Sequence, residues 1–177
     1  QTLVTHSHVG AIVFTQSITA SFLICARDPC PPGIQITSSA DDFYNPFPDR
    51  QPFHRYNKYT IPAIQNEIAW ALGEAEMDTE KLLVEVTRGQ YCDLQTGTES
   101  LRAPFDEMVK FRTSFNEKFK PIADADVVMF TLGLAECWYD NVAGVYLNHF
   151  PGVKTIKTNP DRFHLHVLDY DEIYKGL

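Results

Sequence analysis

Residues 127–132 (VVMFTL) constrain this chain more than any other stretch. The run is uniformly apolar and of strand length. It is preceded by Asp124 and Asp126 and broken by Gly133. A strand without polar alternation reads as buried on both faces, the habit of a parallel sheet covered by helices. Glu136, Trp138, Tyr139 and Asp140 follow, just past its carboxyl end, where open α/β sheets bind their ligands. An ordinary core strand followed by a polar loop fits the same residues. Either way the expected class is α/β with a mostly parallel sheet.

At 177 residues the chain reads as a single domain, 1–177, long enough to bury a core without staples. Hydrophobic residues make up 44% and charged residues 21%, ordinary values for a globular protein. The net charge of −8 argues against a nucleic-acid or anionic-membrane partner, which needs a concentrated basic surface. The basic clusters Lys110–Arg112 and Lys118–Lys120 alternate with Phe111 and Phe119 and read as the solvated flank of an amphipathic helix. No apolar run approaches the roughly 20 residues of a membrane span, and no charged leader precedes an apolar stretch. Four cysteines, Cys25, Cys30, Cys92 and Cys137, show no metal-binding spacing. Reduced thiols and a cytoplasmic setting are expected, with Cys25/Cys30 the one pair placed for a disulfide and Cys137 a small buried hydrophobe.

Along the chain, residues 10–14 (GAIVF) read as a first strand. The hydroxyl-rich turn 15–21, which contains Ser17, reads as capping a helix. Residues 28–55 are irregular and rich in proline; long loops of this kind in compact domains usually carry function. Residues 60–72 predict a helix with Thr60 at its N-cap, Pro62 in its first turn, an apolar stripe of Ile61, Ile64, Ile68, Ala71 and Leu72, and Gly73 at its stop. Residues 81–86 (KLLVEV) are ambiguous between strand and helix, and 92–97 reads as loop. Residues 104–119 predict a second helix, with Phe105, Met108, Phe111, Phe115 and Phe119 on its core face. A hairpin is expected around the turn 140–144, leading into a short strand at 145–147. Residues 163–168 alternate, so Phe163, Leu165 and Val167 face one way and His164 and His166 the other. The last nine residues start like a helix.

Several residues suit chemistry, each with a plainer reading beside it. Ser17 follows an apolar strand at a turn, where a nucleophile is well placed beside helix-start amides; hydroxyls there are also simple caps. Glu136 and Asp140 suit acid–base roles, though carboxylates after strands are common. Asn57 reads as an oxyanion donor or as a turn residue. His6/His8 and His164/His166 each put two imidazoles on one strand face, but a zinc site needs a third ligand, and none is assignable. No glycine-rich phosphate loop is present. No metal and no cofactor are expected.

Residues 130–140 (FTLGLAECWYD), with 144–148 (GVYLN), resemble a signature of the GSCFA-domain family, "TLGLTEAWYD…G.YLN..P". Residues 160–172 (PDRFHLHVLDYDE) resemble its "P.RF.F.VL.Y.E" block. Residues 56–60 (YNKYT) and 66–72 (NEIAWAL) resemble its "N.YT…NE..WAL" helix. The blocks span roughly 53–174 in the family's order. The resemblance implies kinship with the SGNH hydrolases, a three-layer α/β sandwich related in outline to flavodoxin, with a serine nucleophile and a His/Asp pair near the carboxyl end. The namesake motif appears as Gln16-Ser17-Ile18-Thr19-Ala20, which keeps the Ser and the Ala and loses the Gly that permits a tight turn. The chain ends before the region where such enzymes carry His and Asp, so an incomplete domain is expected.

The resemblance therefore implies a serine esterase acting on small-molecule or carbohydrate esters. Ser17 is the nucleophile, Asn57 and Gly133 lie on the oxyanion side, and Glu136 shares the catalytic pocket. Trp138, Tyr139 and Asn148 contact substrate. The alternative is a non-catalytic relative serving as a binding or structural subunit, with a protein partner supplying the missing part. The altered serine motif favours this second reading; the intact block at 130–140 favours the first.

Overall fold

In the computed structural model, the described residues are 12–13, 22–26, 58–96, 101–130 and 133–177, with side chains described for 58–96, 101–123 and 133–177. The chain is mixed α/β. Strands β1 (Ile12–Val13) and β2 (Phe22–Ala26) pair antiparallel. The expected helix after the turn at 15–21 is thus a strand: Phe22, Leu23 and Ile24 are β-formers and outweigh the capping hydroxyls before them.

Helix α1 (Ile61–Leu72) matches its predicted span, with Pro62 in the first turn and Gly73 ending it at φ 72. A left-handed residue at this position lets the chain turn away while its N–H groups close the last turn, and glycine does so without steric cost. Gly73→Ala should therefore cost about 1 kcal/mol through backbone strain alone, read as a shift in the denaturant midpoint, since no side chain crowds the position. Thr60 occupies the N-cap with extended backbone, but its hydroxyl makes no capping bond. That hydroxyl is buried with no hydrogen-bond partner among the described residues.

The ambiguous stretch 81–86 divides between two elements. A short helix, α2 (Thr79–Leu82), is capped by Asp78, which accepts from the Lys81 N–H. Strand β3 (Leu83–Thr87) follows directly. It turns through Gly89, at φ 70, into β4 (Gln90–Asp93). This corrects the loop expected from residue 92 onward. Cys92 is 2% exposed and fills a core position as a small hydrophobe. Helix α3 (Phe105–Glu117) leads through a 3₁₀ turn (Lys120–Asp124) into β5 (Ala125–Phe130).

β5 pairs antiparallel with β2, with Phe22 opposite Phe130. Every strand pairing among the described residues is antiparallel, so the expected parallel sheet has no counterpart there. An apolar run reports on burial; the direction of its neighbours is a separate property. Strand β6 (Glu136–Asp140) replaces the polar loop expected after the core strand. Its Cys137-Trp138-Tyr139 centre is made of strong strand formers. β6 turns into β7 (Val145–Leu147) as the predicted hairpin, with Gly144 at φ 71. A short helix, α4 (Val153–Thr158), then leads to β8 (Phe163–Val167), which pairs with the other edge of β6. The last element is α5 (Tyr170–Gly176), closed at its start by a capping box between Asp169 and Glu172.

The β3–β4 ribbon separates two core clusters. Leu83 joins Ile64, Ala71, Met108, Phe111, Phe115 and Phe119 from the helices. Val84, Cys92 and Leu94 join Leu147 and Phe163 from the β6–β8 sheet. Successive strand side chains point to opposite faces, so a ribbon apolar on both faces serves both clusters. That double apolarity is the reason KLLVEV showed no clean period.

Candidate functional site

Segments distant in sequence converge beside α1. The Tyr59 N–H donates to Asn148 Oδ1 at 2.9 Å. The Leu134 N–H donates to the Tyr59 carbonyl at 3.0 Å. Asn148 Nδ2 donates to the Thr96 carbonyl. The Tyr146 carbonyl accepts from both Asn66 Nδ2 at 2.8 Å and Gln95 Nε2 at 2.9 Å. Buried or half-buried amide side chains that bond across segments fix backbone positions, although the Gln95 Oε1 has no hydrogen-bond partner among the described residues. The result is a rigid junction of the 58–59, 66, 95–96, 134 and 146–148 segments.

A buried ionic network lies beneath this junction. Lys58, Glu67, Asp93 and Arg112 are each at most 1% exposed. Lys58 Nζ sits 2.6 Å from Glu67 Oε2 and also donates to the Gln95 carbonyl. Arg112 pairs with Glu67 through one nitrogen and with Asp93, at 3.1 Å, through the other. Asn116 Nδ2 adds a bond of 2.8 Å to Glu67. Arg112 also stacks over Trp70 and Phe115, and Lys58 over Phe115 and Phe119. Burial alone would raise the Glu67 carboxyl, but the Arg112 and Lys58 charges and the hydrogen bonds from Lys58 and Asn116 hold it below its ordinary value. Burial pulls Lys58 below its ordinary value, with Arg112 adding to the effect and Glu67 opposing it. Two cations facing two carboxylates leave the network close to neutral, the condition under which ionised groups persist in a core. The expected solvated flank holds for Lys110 and Lys120, which are exposed, and is corrected at Arg112, which is 0% exposed.

The outer face of the β6–β8 sheet carries a different set. In the strand register Tyr139 lies opposite both Tyr146 and His164, and Cys137 opposite His166, so these side chains share one face. The Tyr139 ring is 5.0 Å from Tyr146 and 5.1 Å from His164. Tyr146 Oη lies 2.7 Å from His166 Nδ1, and His166 Nε2 lies 3.1 Å from Glu172. Burial and the nearby Glu172 charge push the Cys137 thiol up to about 11. It therefore stays protonated at neutral pH and is no nucleophile.

The sequence-predicted residues divide between these settings. Ser17 and Asn57 lie outside the described residues, as do His6, His8 and Cys30; Cys25 lies in β2, where side chains are not described. Gly133 is exposed and adjoins Leu134 at the Tyr59 contact. Glu136 is exposed, on the same face of β6 as Trp138. Trp138 packs half-buried on the second core cluster and against Phe150 at 5.4 Å. Tyr139 points to the opposite face, so the two aromatics do not share a pocket wall. Asn148 is buried in the junction. Asp140 is 0% exposed, and its carboxylate is taken up by Arg162 and by the Val142 and Ala143 amides. It is a framework residue rather than an acid–base group. A cavity of 210 Å³ lined by Val86, Cys92, Leu94, Arg102 and Lys154 contains none of these residues. Among the described residues no three His, Cys, Asp or Glu side chains gather to hold a metal ion, and no helix is long and apolar enough to cross a membrane.

Glu67 and Arg112 carried a signal that pattern reading passed over. Glu67 lies three residues after Ile64 and four before Ala71; Arg112 lies four after Met108 and three before Phe115. Both therefore fall inside their helices' apolar stripes. A charge within such a stripe marks a buried partner.

Apart from the 95–96 segment, the junction is built from blocks that carry the resemblance. The model of the GSCFA family matches residues 35–177, and the chain belongs to that family. No curated protein and no solved structure matches it.

Proposed function

We propose that the protein is a serine ester hydrolase acting on acylated carbohydrate, within an SGNH-like three-layer α/β sandwich. Ser17 attacks the acyl carbon. The oxyanion is met by Asn57 and by backbone at Gly133, Asn148 positions the Tyr59 segment, and substrate is bordered either by Glu136 and Trp138 or, on the opposite face, by Tyr139. A second step with water releases the acid. The observation that carries the reading is the Leu134-to-Tyr59 hydrogen bond, which ties the segment after Asn57 to the segment after Gly133. The pairing of Phe22 with Phe130 supports it further, because the chain arriving from Ser17 joins β2 at the end of β5 from which Gly133 departs. In this reading the oxyanion rests on Asn57 and Gly133.

A second reading is a non-catalytic subunit. It is favoured by Leu134, Leu165 and Val167, which are 50%, 52% and 59% exposed, since clustered exposed apolar residues mark interaction surfaces. Turnover of 4-nitrophenyl acetate separates the two. The hydrolase reading expects activity that falls about 10³-fold or more in Ser17→Ala. A folded wild-type protein without turnover leaves the subunit reading.

A further inference from the structure

The hydrogen-bonded chain Tyr146–His166–Glu172 on the outer sheet face has the connectivity of an acid–base unit: a hydroxyl, a base within reach, and a carboxylate that orients the base. Each member is held by a further bond. Glu172 Oε2 accepts the Asp169 N–H at 2.8 Å, and the Glu172 N–H donates to Asp169 Oδ1 at 2.9 Å, so the capping box of α5 fixes the carboxylate. His166 Nε2 lies 3.1 Å from each Glu172 oxygen. A carboxylate only accepts, so Nε2 carries the hydrogen, and Nδ1 is free to accept from Tyr146 Oη at 2.7 Å. The Tyr146 backbone is pinned by Asn66 and Gln95. Tyr146 stands two residues before Asn148, which bonds Tyr59, so the relay is anchored to the same junction. Its members are reachable: the His166 side chain is 30% and Glu172 41% exposed, and Tyr146 is half-buried.

We propose that Tyr146 is a proton-transferring residue for hydroxyl oxygens, with His166 and Glu172 as its positioning residues, and that its substrate is the alcohol side of an alkyl or sugar ester. The inference rests on the hydrolase reading. As base, Tyr146 Oη takes the proton of a bound hydroxyl while its own proton passes to His166 Nδ1; the imidazolium formed faces Glu172. As acid, the reverse occurs. When the acyl C–O bond breaks, the leaving alkoxide takes the Tyr146 proton, and His166 Nδ1 returns to the phenolic oxygen the proton it received when the attacking hydroxyl was deprotonated. Burial, with the Cys137, Glu172 and Tyr139 groups, pushes the Tyr146 hydroxyl above its ordinary value, so it keeps its proton at neutral pH, as a donor must. A sugar alkoxide is a poor leaving group that needs this proton; 4-nitrophenolate leaves without it.

The test compares kcat/KM for methyl 6-O-acetylglucoside with that for 4-nitrophenyl acetate. In Tyr146→Phe and in His166→Gln the sugar-to-aryl ratio falls about 10²-fold, the usual scale of positioned proton transfer. Thermal melting of each variant confirms that it is folded. Nitrogen NMR of wild-type His166 at neutral pH shows the hydrogen on Nε2. A wild type that cleaves both esters through Ser17, with the ratio unchanged in Tyr146→Phe, overturns the relay and leaves the hydrolase standing. A wild type that cleaves neither overturns both. The opposite imidazole tautomer overturns the relay on its own.

Discussion

Glu67→Gln is expected to destabilise the protein by about 3–5 kcal/mol, the range for stripping one partner from a buried ion pair. Domains of this size have only about 5–15 kcal/mol in total, so the variant should be close to unfolded at 37 °C. Glu67 is the hinge of the network: it takes Lys58 on one oxygen and Arg112 and Asn116 on the other. Without its charge, Lys58 and Arg112 face Asp93 alone. The denaturant midpoint reads the loss. The double variant Lys58→Met/Glu67→Gln should recover part of it, because Arg112 then keeps its Asp93 pair and no second cation is stranded; additive losses in the double variant would contradict the coupling. The pH dependence follows from the same pair. The folded Glu67 carboxyl lies below its ordinary value of 4.5. Its contribution is therefore complete above that value and is lost as pH falls through the lower folded one. Wild-type stability should drop on acidification below about pH 4.5, and the Lys58→Met/Glu67→Gln variant should show a shallower drop.

Asp140→Asn is the next largest effect, about 2–4 kcal/mol. The carboxylate receives the Arg162 guanidinium on Nε and Nη2, at 2.9 and 2.7 Å, and the Val142 N–H at 2.9 Å. Arg162 also donates to the Lys81 carbonyl at 2.7 Å. One carboxylate thus joins the β6–β7 turn, the start of β8 and the end of α2. Asn keeps the shape but loses the charge, and it turns an NH₂ group toward the guanidinium or the amides. Hydrogen exchange should speed first in β7 and β8, while α3 keeps its protection. Uniform loss of protection across α3 and β8 would show instead that the two core clusters unfold as one unit.

The amphipathic helices and the β6–β7 hairpin were legible because their signals are local. Ile64 and Ala71, or Phe111 and Phe115, recur at helical spacing, and Gly144 marks a tight reversal. The alternation at 163–167 gave the right faces, with His164 and His166 together, but not the right burial: Phe163 is covered while Leu165 and Val167 are exposed. Two things were not legible. Strand direction is absent from a uniform apolar run such as β5, and the antiparallel partner β2 lies a hundred residues earlier. The ionic network joins residues 58, 67, 93 and 112, and no window on the chain contains them all. The blocks that carry the resemblance hold Tyr59, Asn66, Leu134, Tyr146 and Asn148, which meet at one junction. The Tyr146–His166–Glu172 chain is not legible in the sequence because its members lie in three separate elements, and the alternation at 163–168 offers the two histidines only as metal ligands or as exposed polar positions.

The most direct test of the hydrolase assignment is labelling of the folded protein with a fluorophosphonate probe, followed by peptide mapping. The account predicts one adduct, on Ser17, absent in Ser17→Ala and absent after denaturation. A folded protein that takes no label, or that takes it on another residue with Ser17 unmodified, would contradict it.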